Sequence, residues 1–319
     1  MTPFLLLLIP AALIAAVLLL SYLAYRKAFY SSPKHRTEPL EPPHGEQYKK
    51  HAARMGELIG MMREIPYERV EITARDGTRL VGRYIHVSDS APLQIQCHGY
   101  RGGPVRDFCG GNKLAREMGH NTLLIEHRAH GGSEGHTITF GILERYDCLD
   151  WVNYAIDRFG RETKILLVGV SMGAATVLMT AGLTLPPQVR GVIADAPYSS
   201  PQAIIGKVCG EMGFPPALAM PLIRLGARLW GHFDVRADAP TEAVKKAQIP
   251  LLVIHGEDDR FVPCDMSREI LVSAAEAERD IKLLTVKNAG HGLSFIEDPE
   301  GYRREMYLFV ERCLHSYNI

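Results

Sequence analysis

The residues whose types and spacing carry the most chemistry are Gly169-Val170-Ser171-Met172-Gly173, which follow an apolar run and open an alanine-rich stretch. In that context the pentapeptide predicts a sharp strand-to-helix turn with the Ser171 hydroxyl projecting from it. Glycines two positions either side leave room where a side chain would strike the neighbouring strand and helix. A serine hydroxyl is a weak nucleophile at neutral pH and needs a base within hydrogen-bond reach, itself oriented by a carboxylate. His291, in Asn288-Ala289-Gly290-His291-Gly292, is the candidate base. Asp259, in His255-Gly256-Glu257-Asp258-Asp259-Arg260, is the candidate acid, with Glu257 and Asp258 beside it as alternatives. Each lies just past an apolar run, the strand end at which an open α/β sheet builds its site. The chain order Ser, Asp, His is the one such a sheet uses. Attack on a carbonyl creates an oxyanion that two backbone N–H groups must hold. Met172 supplies one, directly after the nucleophile, and Tyr100, in the glycine-rich loop His98-Gly99-Tyr100-Arg101-Gly102-Gly103, supplies the other.

Taken as an ordered set, HGYRGG, EHRAHGGSEG at Glu126 to Gly135, GVSMG, HGEDDRFVP and NAGHG resemble the α/β-hydrolase superfamily. The resemblance spans Tyr67 to Tyr317 and is nearest to bacterial members of the serine aminopeptidase-like and acyltransferase-thioesterase-like kinds, including membrane-anchored forms. It implies Ser171 as nucleophile, Asp259 as acid, His291 as base, and Tyr100 and Met172 as oxyanion donors. The chain departs from the relatives' Asp-x-Arg-Gly-His-Gly at Glu126-His127-Arg128-Ala129-His130-Gly131.

The elements that must position these residues are legible as short β-branched runs alternating with helical stretches, the pattern of a mainly parallel sheet covered on both faces. Glu68 to Arg75 and Arg79 to Val87, around Asp76-Gly77, predict an antiparallel hairpin. Further strands are expected at Leu93 to Cys97, Asn121 to Ile125, Lys164 to Gly169, Val189 to Asp195, Pro250 to His255 and Asp280 to Val286, for an eight-stranded sheet. Helices are expected at Val105 to Met118, Gly141 to Phe159, Met172 to Leu183, Met266 to Ala275 and Asp298 to His315. The Met- and Leu-rich stretch 199–246 interrupts the alternation and predicts a small helical cap. The catalytic domain is thus expected over residues 67–319. Ahead of it, 46–66 reads as one amphipathic helix, with Tyr48, Ala52, Met55, Ile59 and Met62 at helical spacing. The proline-rich, charged stretch 26–45 reads as an exposed spacer.

Residues 1–25 are the strongest compositional feature: Phe4 to Tyr25 carries no charge and is mostly Leu, Ile and Ala. Such a run can cross a bilayer. It lacks the basic n-region and small-residue cleavage site of a signal peptide, so a retained anchor is expected. Arg26, Lys27, Lys34 and Arg36 follow it, which places the catalytic domain on the cytoplasmic side. With 36 Lys plus Arg against 36 Asp plus Glu, there is no global field to draw nucleic acid. The six cysteines are scattered singly, without disulfide-scaffold density or zinc spacing, and read as reduced thiols. His98 is expected to bond its own loop's backbone, and the pair His127 and His130 lacks the third ligand of a metal site. No metal and no cofactor is implied. Asp195, Tyr198 and Arg128 are candidates for lining the pocket.

The expected chemistry is hydrolysis of carboxylic esters with short to medium acyl groups on small apolar substrates, through an acyl-serine intermediate. Thioesterase, lysophospholipase-like and peptidase activities are alternatives, since function resides in the pocket. A non-catalytic hydrolase-fold binding protein is the rival of a different class.

Overall fold

The computed structural model describes residues 3–315. The outermost ends of the expected anchor (residues 1–2) and of the catalytic domain (316–319) lie outside the described residues.

The chain opens with α1 (Pro3–Ala28), then two helices, α2 (Glu46–Lys49) and α3 (Ala52–Arg63), where the periodicity predicts one. The break falls at Lys50 and His51, because both turn toward Glu297: the His51 Nε2 lies 2.8 Å from its Oε1, and Lys50 pairs with the same oxygen. The hairpin is β1 (Glu68–Thr73) and β2 (Arg79–Ile85). After it come β3 (Leu93–Cys97), α4 (Pro104–Glu117), β4 (Asn121–Glu126), α5 (Glu144–Phe159), β5 (Ile165–Val170), α6 (Met172–Ala181) and β6 (Val189–Asp195). Two helices, α7 (Pro201–Glu211) and α8 (Pro216–Trp230), and the short α9 (Pro240–Ala243) separate β6 from β7 (Leu251–Gly256). The chain closes with α10 (Asp265–Glu276), β8 (Ile281–Val286), α11 (Ser294–Glu297) and α12 (Pro299–His315).

The strands form one eight-stranded sheet of order β1-β2-β4-β3-β5-β6-β7-β8. β2 is antiparallel to both its neighbours, and from β4 to β8 every pairing is parallel. Every residue of β3, β4 and β7 is buried: β7 opens on the apolar run Leu251 to Ile254, as a doubly covered strand should, whereas β3 alternates and buries Gln94 and Gln96 by bonding them to His120 and Asn112. One face of the sheet packs on α5, α6 and α10 and the other on α3, α4 and α12. α6 is apolar on all sides and buried at every position, because sheet, cap and neighbouring helices enclose it completely.

A third core lies under α7 and α8, and it includes Tyr25 and Phe29 from the C-terminal end of α1 and the segment after it. α1 and α8 approach closely at Gly226, where any Cβ would meet the Ser21 carbonyl oxygen. Trp230 Nε1 donates to Ser21 Oγ at 3.3 Å, and the Tyr22 and Trp230 rings meet edge-on at 5.2 Å. The helix is therefore an exposed apolar rod over Ile9 to Leu20 and part of the folded body from Ser21 onward.

The stretch 26–45 is not a free spacer. Arg36 donates to the carbonyls of Ser133 at 2.8 Å, Ser31 at 3.0 Å and Gly135. Glu38 accepts from Arg83 at 2.7 Å and from the Val105 N–H at 2.9 Å. Its first residues finish α1 and Pro33–His35 form a single 3-10 turn, and beyond that turn its side chains reach the domain, which composition alone does not reveal.

Candidate active site

β5 delivers Ser171 and α6 carries it away, and the turn between them holds Ser171 at φ 55°, ψ −115°. A non-glycine residue stays in that sparsely populated region only when its surroundings over-determine it. Here the Ser171 N–H donates to the Asp195 carbonyl at 2.8 Å and its carbonyl accepts from Ala175 N–H at 3.0 Å. The flanking glycines are required by contact. A Cβ on Gly169 would enter the Gly173 carbonyl, and one on Gly173 the Cys97 carbonyl.

Three side chains far apart in sequence meet at this turn. The Ser171 hydroxyl donates to His291 Nε2 at 3.0 Å, and His291 Nδ1–H donates to Asp259 Oδ2 at 2.7 Å. Asp259 is buried, whereas Glu257 and Asp258 face solvent, so the loop after β7 turns only one of the three carboxylates inward. The other oxygen, Oδ1, accepts the backbone N–H groups of Phe261 and Val262, each at 2.8 Å. Burial by itself would raise the Asp259 pKa, but the nearby imidazoles of His291 and His255, by charge and by hydrogen bonding, hold it well below the ordinary carboxylate range. It is an anion at neutral pH, suited to accept from Nδ1–H and to stabilise an imidazolium.

Supports missing from the sequence reading surround this chain of bonds. His255 donates from Nε2 to the Val262 carbonyl at 2.8 Å, lies 3.2 Å from Asp259 Oδ2, and meets Ser267 Oγ through Nδ1 at 2.6 Å. A histidine closing an otherwise apolar strand was the available signal. Gln47 Oε1 accepts the His291 backbone N–H at 3.1 Å, so the N-terminal helical segment, which reads as packing, also holds the His291 loop. Asp107 accepts the Gly99 N–H at 2.8 Å, and nothing in the local pattern marks it for that role.

The loop after β3 lies against the serine: a Cβ on Gly99 would stand 3.4 Å from Ser171 Cβ. Among the described residues, no hydrogen bond takes the backbone N–H of Tyr100 or Met172. Both border the serine as unpaired donors. His98 donates from Nδ1 to the Gly99 carbonyl at 2.8 Å and accepts the His127 N–H at 3.2 Å. His130 bonds Arg128 O and Arg101 N–H, so both of its nitrogens are engaged by backbone. Ala129, where the relatives' pattern has glycine, sits at φ 62°.

Beside Ser171 and His291 opens a cavity of about 350 Å³ between the sheet and the N-terminal and C-terminal helices, with Met55, Phe108, Val168, Phe295 and Met306 among its walls. Asp195 also lines it, with Oδ2 accepting the Tyr302 hydroxyl at 3.1 Å. Burial pushes its carboxyl up to about 6, against the pull of His255 and Tyr302. Arg128 instead pairs with Asp147 beneath the surface, and Tyr198 donates to Phe140 O, so neither lines this cavity. Cys97 is fully buried, and burial raises its thiol well above the ordinary range, which makes it a poor nucleophile.

A family profile described as alpha/beta hydrolase fold matches residues 95–212. The uncharacterized protein YqkD of Bacillus subtilis is 26% identical over 257 residues, 78% of this chain and 83% of that one. The uncharacterized protein YfhR of Escherichia coli K12 is 27% identical over 260 residues, 79% of this chain and 83% of its own. Among solved structures, the Pyrococcus furiosus esterase Pf2001 superposes with a TM-score of 0.64 at 21% identity, covering 86% of this chain and 97% of that one. With the eight-stranded sheet and the family profile in agreement, the chain has the α/β-hydrolase fold, a fold that supports hydrolase activity.

Proposed function

We propose that the chain is a membrane-anchored serine hydrolase that cleaves carboxylic esters of small apolar substrates with short to medium acyl groups. The observation that carries this reading is the unbroken hydrogen-bond chain from Ser171 through His291 to Asp259. Ser171 Oγ attacks the carbonyl carbon while His291 Nε2 takes its proton, and the oxyanion is held by the N–H groups of Tyr100 and Met172. The tetrahedral intermediate collapses, His291 gives the proton to the leaving alcohol, and the acyl group remains on Ser171. Water then attacks the acyl-serine with His291 again as base, and collapse returns the proton to Ser171 as the carboxylic acid departs. The apolar walls of the cavity beside Ser171 support an aliphatic acyl group, and the esterase among the chains of like fold makes an ester the first substrate to test.

α1 has the length and composition to cross a membrane. The burial of Ser21, Tyr25 and Phe29 against the cap supports retention of that helix, since its removal would expose the apolar surface beneath it. The cations after it support a cytoplasmic catalytic domain. Protease added to intact cells should then leave the large domain uncut, and its digestion from outside would overturn that orientation.

A fluorophosphonate probe should label the wild type and fail to label Ser171→Ala. Ser171→Ala and His291→Ala should each abolish p-nitrophenyl ester hydrolysis, and the double variant should lose scarcely more, since such residues act as a unit. A folded protein that takes no label would end the enzyme reading and favour a binding role.

A further inference from the structure

The loop that presents the Tyr100 N–H is a turn closed by one bond of its own, from the Gly102 N–H to the Gly99 carbonyl at 3.0 Å. Glycines stand at 99, 102 and 103, and Arg101 between them sits at φ 50°, a conformation that non-glycine residues hold only under outside constraint. The catalytic domain supplies part of that constraint. Asp107 accepts the Gly99 N–H at 2.8 Å, and His130 Nε2 accepts the Arg101 N–H at 3.0 Å.

A further constraint, on the two side chains at the tip of the turn, comes from the N-terminal helix. The Tyr100 hydroxyl donates to the Ala28 carbonyl at 2.9 Å, and the Arg101 guanidinium donates to the carbonyls of Lys27 at 3.1 Å and Tyr30 at 3.3 Å. Ala28 and Lys27 are in the last turn of α1, whose carbonyls have no partner within the helix. A guanidinium there also meets the negative end of the helix dipole. Above the hydroxyl, the Tyr100 ring stacks on Phe140 at 5.0 Å, and Phe29, one residue past α1, packs edge-on against that same Phe140 at 5.8 Å. α1 is in turn fixed by its close approach to Gly226 of the cap and by a bridge between Tyr30 and Thr137.

We propose that the C-terminal end of the anchor helix is a working part of the active site: through Ala28 and Lys27 it holds the Tyr100–Arg101 loop in register, and so places one of the two oxyanion donors. Tyr100 and Arg101 act here as positioning residues through their side chains, while only the Tyr100 backbone touches the reacting atoms. Insertion of α1 in the bilayer and competence of the oxyanion hole are thereby parts of one rigid assembly of anchor, cap and loop. The inference rests on the esterase reading, because an oxyanion donor has meaning only if Ser171 attacks a carbonyl.

The test uses the full chain in phospholipid vesicles, with a p-nitrophenyl ester as substrate and an alkyl boronic acid as a mimic of the tetrahedral intermediate. Tyr100→Phe combined with Arg101→Gln removes the ties to α1 and keeps the loop backbone. Loss of an oxyanion donor outright costs about 10²–10³ in kcat, so a loosened donor should cost about tenfold. The expected result is that kcat falls about tenfold, KM stays within about twofold, boronate affinity falls in parallel with kcat, and the melting midpoint is nearly unchanged. Gly226→Val, which pushes α1 off the cap at a site outside the cavity, should reproduce the split between kcat and KM. Wild-type kcat in both variants overturns the proposal, as does a loss that appears in KM and melting midpoint while boronate affinity holds. If Ser171→Ala retains wild-type hydrolysis, the esterase reading itself has failed, and that outcome is independent of the loop variants.

Discussion

Asp259→Asn separates the one carboxylate that faces the base from its two neighbours. In the wild type, Oδ1 accepts from Phe261 and Val262 N–H while Oδ2 accepts from His291 Nδ1–H at 2.7 Å and faces His255 Nε2 at 3.2 Å. Asparagine keeps the shape, and its amide oxygen is best used where the two backbone donors are. Its NH2 then points at His291, so Nδ1 must become an acceptor and the ring proton moves to Nε2. A protonated Nε2 cannot take the serine proton, and a wrong tautomer of this kind lowers kcat by about 10⁴, or about 5 kcal/mol of transition-state stabilisation. The same NH2 also faces the donor at His255 Nε2, which leaves a buried donor poorly paired and costs about 1–3 kcal/mol of stability. The sign of the pH dependence follows from the depressed pKa of Asp259. Its contribution to stability is present above the unfolded value of about 3.9 and is lost as pH falls through the lower folded value, so wild type and variant should converge in acid. Steady-state hydrolysis of a p-nitrophenyl ester and thermal melts across that range measure both effects, with Asp258→Asn, on an exposed side chain, as the control. A loss smaller than about tenfold in Asp259→Asn, or a comparable loss in Asp258→Asn, would refute the assignment of the acid.

Gly173→Ala forces a Cβ into the Cys97 carbonyl and should prevent accumulation of folded protein or lower its melting midpoint sharply; a thermal melt near wild type would contradict the strand-to-helix contact. Among the described residues, neither ring nitrogen of buried His127 finds a hydrogen-bond partner, and burial lowers its pKa to about 3. An unfolded histidine binds its proton below about 6.5, so stability is present above that pH and falls as pH drops, by about 2 kcal/mol at pH 5 for this residue. His127→Phe should therefore flatten the decline of the melting midpoint between about pH 7 and 5, and an unchanged slope would mean that the ring is hydrated or paired. For p-nitrophenyl esters of increasing length, kcat/KM should rise with each methylene that enters the cavity beside Ser171 and fall once the chain outgrows it, whereas a flat series would place the acyl group elsewhere.

Much of the fold was legible because its signals are local. The apolar runs inside β4 and β7 reported strands buried on both faces, and the bounds of these two strands shift by one residue from the expected ones. The glycines around Ser171 reported a turn too tight for side chains. The single expected helix over 46–66 breaks because Lys50 and His51 pair with Glu297, a partner almost the whole chain away. Similarly, the stretch 26–45 reads as a spacer, since proline content describes backbone extension and carries no information about what Arg36 and Glu38 reach.

By itself the sequence determined which residue types were available for acyl transfer, their order, and the strand ends that present them, since all of these are written in short windows of the chain. Only the tertiary structure decided which of three adjacent carboxylates turns inward, that His255 and Gln47 brace Asp259 and the His291 loop, and that the last turn of the N-terminal helix meets the Tyr100 loop. The physical reason is that each of these depends on a contact between segments distant in the chain, and hydrogen-bond partners across such distances leave no periodicity in either segment.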